Sequence, residues 1–258
     1  MTHKVDLNCD LGESFGAFTI GQDEQIIPFV SSVNIACGFH AGDPLVMKQT
    51  VMQAKKAGVG IGAHPGFPDL MGFGRRAMVL TPEEVKAYVM YQLSALIGMA
   101  KAQGETVKHV KPHGALYNMA ATDYGVAKSI CEAIYGVDRE LILLGLSGSE
   151  LIRAGKDMGL ATANEVFADR GYNEDGTLVA RQMPGAFIHD VETAVARVVK
   201  MVKDKTVETV TGKEISLQAD SICVHGDDAQ ALDFVRAIKA GLANAGIDVV
   251  ALSRFIKI

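Results

Sequence analysis

Ser32-Val33-Asn34-Ile35-Ala36-Cys37-Gly38-Phe39-His40-Ala41-Gly42-Asp43-Pro44, read with the residues that follow it to Ala63, sets the fold class. The apolar run Ser32–Cys37 reads as a strand. Asp43-Pro44 then opens a helix: the Asp carboxylate can accept from the free N–H groups of the first turn, and Pro suits a position where an N–H has no partner. Val46, Thr50, Val51, Ala54 and Ala57 recur on one helical face, Gly58 ends it, and a second apolar run, Val59–Ala63, follows. Strand, helix and strand in direct succession make a parallel crossover unit.

The same unit repeats outward in both directions. Further strands are predicted at Val5–Cys9, Thr106–Lys111, Leu141–Gly145, Leu160–Val166, Ser221–His225 and Ile247–Val250, most of them near-continuously apolar, as in a sheet covered on both faces. Thr81-Pro82-Glu83-Glu84 is a capping box, and Val85, Val89, Leu93, Leu96, Ile97 and Ala100 make one face of the helix it starts. Other helices are predicted near Asp123–Tyr135, Gly148–Met158, Asp190–Lys203 and Asp228–Ala245, and a hairpin at Thr206–Leu217 turning at Thr211-Gly212. With 258 residues and no linker, the count favours one α/β domain over residues 1–258, an irregular (β/α) barrel rather than an open sheet.

Composition narrows the function classes. A net charge of -5 without a basic cluster argues against nucleic acid. No apolar run approaches the ~18 residues of a membrane span, and the N-terminus lacks a signal-peptide core, so a cytoplasmic location is expected. Cys9, Cys37, Cys131 and Cys223 share no Cys-x-x-Cys spacing and read as buried thiols; a nucleophilic Cys37 beside His40 is the weaker reading.

Polar residues gather just beyond the strands. Asn8-Cys9-Asp10-Leu11-Gly12-Glu13 closes the first, and His40, His64, His113 and His225 follow four others, each beside Gly or Pro or one residue away. Packing alone rarely puts four of seven histidines in register, so an active site at the carboxyl ends of the strands is expected. His3 and His109 read as surface or strand positions, and His189 as structural before the Asp190 cap. Asp43 is a helix cap. Asp10 starts no clear helix and reads as a base or ligand, while Asp227 could cap a helix and aim His225. Lys111 before Pro112 needs an anion, and Arg75, Arg76 and Arg170 lie in long loops where an arginine suits a carboxylate or phosphoryl group. Those loops, Asp10–Phe29, His64–Val79 and Phe167–His189, exceed the usual strand-to-helix turn. No phosphate-loop motif, Gly-x-Ser-x-Gly elbow or dinucleotide fingerprint occurs.

Taken in order, the blocks Asp6-Leu7-Asn8-Cys9-Asp10-Leu11-Gly12-Glu13, Asn34 to Pro44, Gly72-Phe73-Gly74-Arg75-Arg76, Lys111-Pro112-His113-Gly114-Ala115-Leu116-Tyr117 and Val224-His225-Gly226-Asp227 resemble the LamB/YcsF family across almost the whole chain. The resemblance implies an irregular barrel of the glycoside hydrolase/deacetylase type. It also implies cleavage of 5-oxo-L-proline to L-glutamate coupled to ATP hydrolysis, with 5-oxoprolinase subunits B and C as partners and ATP bound by this chain or by one of them. On that chemistry Asp10 is expected as general base, with His40 and His64 orienting it or sharing a divalent metal. His113 and His225 serve as acid or oxyanion donors, and Lys111 and Arg170 hold the phosphoryl group or substrate carboxylate. Asn8, Glu13, Arg75 and Asp169 are further expected substrate or phosphate contacts. Asp10, His40 and His64 could hold a metal, although no local ligand spacing marks them. A metal-dependent deacetylase-like carbohydrate hydrolase and a non-catalytic scaffold are the alternative readings.

Overall fold

In the first strand, β1 (His3–Leu11), Val5, Leu7, Cys9 and Leu11 are fully buried apolar residues that alternate with Asp6, Asn8 and Asp10. The strand therefore has two different faces, unlike the near-continuous apolar runs that most of the predicted strands show. The computed structural model describes residues 3–224 and 231–257.

After β1 the chain forms α1 (Asp23–Ile26), β2 (Ser32–Ala36), α2 (Pro44–Ala57), β3 (Gly60–His64), α3 (Pro82–Ala102) and β4 (Val107–Val110). Two helices, α4 (Gly114–Thr122) and α5 (Tyr124–Val137), lead to β5 (Ile142–Leu146), and α6 (Glu150–Asp157) leads to β6 (Thr162–Phe167). Then come α7 (Val191–Lys203), the antiparallel hairpin β7 (Thr206–Glu208) and β8 (Glu214–Ser216), β9 (Ser221–Val224), α8 (Ala231–Asn244) and β10 (Ile247–Val249). β1 to β6 and β9 pair in parallel in that order, and β9 returns to β1 with Asp6 beside Ser221 and Asn8 beside Cys223. Among the described residues this is a closed barrel of seven strands. The predicted last strand does form, but β10 pairs only with His3–Val5 of β1 and stays outside the ring.

The predicted caps are present. Asp43 accepts from the Leu45 and Val46 amides at 2.8 and 2.9 Å, and Gly58 ends α2 in the left-handed region at φ 70°. Thr81 and Glu84 form both halves of the capping box. The helix α4 was not anticipated, because Pro112-His113-Gly114 reads as a polar strand end. Gly114 turns the chain at φ 55°, and a Cβ there would lie 2.6 Å from the Gly74 carbonyl.

Apolar faces of the strands pack against the helices; the polar faces meet inside the ring. Asn8 on β1 donates to Glu165 on β6 at 3.0 Å, and His109 on β4 donates to Asn34 on β2 at 2.7 Å. Strands that are not neighbours can be bridged in this way only through the barrel interior. At the amino end, the Asp6 carboxylate accepts from Ser31, Ser32 and Ser221 at 2.7, 2.6 and 2.5 Å. Above it lie Asn8, Asn34, His109, Glu165 and Cys223, and above those Asp10, His64 and Lys111. Gly62 completes the middle layer, since a Cβ there would overlap the His109 ring.

Burial, partly offset by the three hydroxyl donors, raises the Asp6 pKa from 3.8 to about 6. The folded chain thus holds this proton more tightly than the unfolded chain. Asp6 favours the folded state most below its ordinary pKa, and loses that contribution as pH rises to about 6, by roughly 3 kcal/mol. Urea unfolding of wild type and Asp6→Asn should therefore show wild-type stability declining relative to the variant between pH 4 and pH 7; a pH-independent difference would contradict this assignment.

Candidate functional site

At the carboxyl end of the ring, β1, β3 and β4 deliver Asp10, His64 and Lys111 to one place. Asp10 Oδ1 accepts from Asn34 Nδ2 at 2.8 Å and from Lys111 Nζ at 2.9 Å, which fixes the carboxylate and turns Oδ2 to within 3.3 Å of His64 Nε2. The Lys111 ammonium also meets Glu165 Oε1 at 2.9 Å. Desolvation acts against this buried cation, but the carboxylates of Asp10 and Glu165 more than offset it, so its pKa lies well above the ordinary lysine value. Lys111 lines the cavity, yet its charge is shared by two carboxylates of the protein itself, and its role is to hold Asp10.

The histidines are fixed by backbone carbonyls. His64 Nδ1 donates to the Lys111 carbonyl at 2.7 Å, and His113 Nε2 donates to the Phe73 carbonyl at 2.8 Å. Phe73 is itself at a positive φ of 54°, in a turn anchored by Asp69, which accepts from Gly72 N and pairs with Arg76. The remaining ring nitrogens, His64 Nε2 and His113 Nδ1, face each other at 3.0 Å. His40 stacks flat on His113 with 3.7 Å between centroids and 2° between planes, and its Nε2 is 3.3 Å from Glu13 Oε1. Burial and the neighbouring histidines hold His40 and His113 well below the usual histidine pKa.

These groups open onto a cavity of about 310 Å³. Of the predicted site residues, Asp10, Glu13, His64, Arg75, Lys111, His113 and Arg170 line it. Three do not. His40 lies behind His113, and Asn8 lies one layer down with its amide engaged by Glu165, Ser221, Asn34 and Lys111 rather than facing a substrate. Asp169 is half-buried next to Arg170. Arg170 donates to the Ala186 and Val179 carbonyls at 3.0 and 2.6 Å, so much of its guanidinium is committed to shaping the 168–190 loop. Of the Arg75-Arg76 pair, Arg76 is held by Asp69 and Arg75 faces the cavity. His225 and Asp227 lie outside the described residues.

Sequence reasoning missed four residues. Glu165 is fully buried and accepts from Tyr117 at 2.6 Å as well as from Lys111 and Asn8. A carboxylate inside an otherwise apolar strand needs such partners, and that was the available signal. Tyr117 and Arg181 also line the cavity. His109, read as a surface or strand residue, is a buried member of the interior network, neutral with a pKa lowered to about 3 chiefly by burial.

Residues 5–257 match the LamB/YcsF family. The chain belongs to that family. It is 59% identical over 252 residues to the 5-oxoprolinase A subunit of Clostridium beijerinckii, with 98% of this chain and 99% of the relative covered. It is also 59% identical over 253 residues to the protein of the same name from Campylobacter jejuni, with the same coverage. The crystal structure of the lactam utilization protein from Thermus thermophilus superposes with a TM-score of 0.91 at 46% identity, covering 96% of this chain and 99% of that one. No helix among the described residues is long and apolar enough to cross a membrane.

In this LamB/YcsF barrel, the Lys111 ammonium is shared by Asp10 and Glu165, 2.9 Å from each. Lys111→Met should cost about 3–5 kcal/mol by removing the cation that buried Glu165 and half-buried Asp10 share. Lys111→Met combined with Glu165→Gln should recover part of that loss in urea unfolding; equal stability of Lys111→Met and wild type would show that the ion cluster does not stabilise the barrel.

Proposed function

We propose that this chain is the A component of an ATP-dependent 5-oxoprolinase, which opens 5-oxo-L-proline to L-glutamate together with subunits B and C. Full-length similarity to proteins named as the A subunit of 5-oxoprolinase supports the substrate. The observation that carries the reading is Asp10: one oxygen is immobilised by Lys111 and Asn34, and the carboxylate opens onto a small cavity also lined by Arg75 and Arg181.

A γ-lactam is a resonance-stabilised amide, and water alone attacks it slowly. Transfer of the ATP γ-phosphoryl group to the lactam oxygen releases ADP and makes the ring carbon electrophilic. Water then adds to that carbon and the C–N bond opens with the nitrogen taking a proton. The acyl phosphate so formed is hydrolysed by a second water to glutamate and phosphate. Asp10 is placed to take the proton from the attacking water. The His64 and His113 N–H groups are committed to backbone carbonyls, so the donors for developing negative charge are Arg75 and Arg181, which suit the substrate carboxylate or the phosphoryl oxygens. A volume of about 310 Å³ is at the small end of ligand sites, matching a lactam rather than a whole nucleotide. Together with the lack of a phosphate loop, this favours ATP being held with the partner subunits. The free, buried cysteines accord with a cytoplasmic setting.

The test is reconstitution of purified chain with subunits B and C, following glutamate and ADP together. Asp10→Asn should lower glutamate release by about 100-fold or more, and Arg181→Ala should raise KM for 5-oxoproline. Near-normal turnover by Asp10→Asn would overturn the assignment of the base, and glutamate formed without ADP would overturn the coupling.

A further inference from the structure

The contact between His64 and His113 gathers ligand atoms at one buried point. One nitrogen of each ring is already engaged by a backbone carbonyl, His64 Nδ1 by Lys111 and His113 Nε2 by Phe73. The other two nitrogens, His64 Nε2 and His113 Nδ1, meet at 3.0 Å and point at the same place. Two carboxylates add to this electron-rich point: Glu13 Oε1 is 3.6 Å from His113 Nδ1, and Asp10 Oδ2 is 3.3 Å from His64 Nε2. Glu13, His64 and His113 are all buried, and each presents a ligand atom within 4.8 Å of the others. Such an arrangement calls for a cation at its centre.

We propose that Glu13 Oε1, His64 Nε2 and His113 Nδ1 form a binding site for one divalent transition-metal ion, with Asp10 facing the position left for water. Ligands at ~2.1 Å from one tetrahedral ion lie roughly 3.4 Å apart, and the 3.0 and 3.6 Å separations bracket that value. The carbonyl partners on the far side of each ring are the outer contacts that fix a ligating tautomer and its orientation. Two imidazoles and a carboxylate suit zinc, iron, cobalt or nickel better than magnesium. His40 is not a ligand here, although Asp10, His40 and His64 are the set that the sequence suggests. Its ring is parallel to His113 within 2°, so the two rings cannot aim at one ion; His40 packs behind His113 and its Nε2 donates to Glu13. When bound, the ion would supply Lewis-acid polarisation of a carbonyl or bound water. Binding itself does not depend on which reaction the chain serves.

Full-length protein, stripped with a chelator and dialysed, should take up one Zn²⁺ per chain by calorimetry, and Co²⁺ should give a visible ligand-field absorption. Affinity should fall at least ~10-fold in His113→Ala and in Glu13→Gln, while the exposed His189→Ala variant binds like wild type. Glu13→Gln preserves side-chain volume, so it decides the matter even where a histidine variant fails to fold. No Zn²⁺ uptake by wild type, as expected if a shared proton bridges His64 and His113, or undiminished uptake by both ligand variants, would overturn the site. Neither result would touch the glutamate and ADP measurements that test the 5-oxoprolinase reading.

Discussion

A barrel whose interior is polar has to satisfy every donor and acceptor it encloses, and that requirement organises this molecule. Interiors of (β/α) barrels are usually filled by branched aliphatic side chains in layers. Here the inner face of β1 reads Asp6, Asn8, Asp10, and one hydrogen-bonded network rises from the three serines around Asp6, through Asn8, Asn34 and His109, to Lys111 and Asp10. Removing any member leaves a buried polar group without its partner, which is costlier than the net contribution of the bond it made. The apolar stabilisation therefore comes from the outer faces of the strands against the helices, while the interior is left to position groups.

That division explains how the site attains its geometry. Asp10 is not a loop carboxylate free to rotate; Lys111, Asn34 and His64 surround it, and Lys111 is in turn set by Glu165 and Asn8. Glu165 balances the charge of Lys111, so a buried cation and two carboxylates coexist. The histidines are set from the other side, by carbonyls of Lys111 and Phe73, the latter in a tight turn that also separates Arg75 from Arg76. Rigid elements hold the reacting groups, and the long loops supply the arginines around them.

Much of this was legible beforehand. The Asp43 and Thr81 caps, the crossover units and the hairpin near Thr211 are local features, set by contacts a few residues apart, and each appears where its residues predict it. The register of His64 and His113 at strand ends was legible for the same reason. Asn8 was expected at a substrate, and His109, although on its predicted strand, was not seen as part of the interior network, because whether a polar strand residue faces inward to a network or outward to a ligand depends on strands far away in sequence. Glu165 was passed over on the same ground: its partners Tyr117 and Asn8 lie 48 and 157 residues away.

The amino-acid sequence alone determined the class of fold, the ends of its main helices and the set of polar residues carried beyond the strands, because periodicity and capping are short-range physics. Tertiary structure decided that seven strands close while β10 stays outside, that the ring encloses a polar core, and which nitrogen of each histidine points at which neighbour. Those outcomes depend on the closure of the barrel, which brings distant side chains within hydrogen-bonding distance and fixes a ring's tautomer by a carbonyl on another strand or loop.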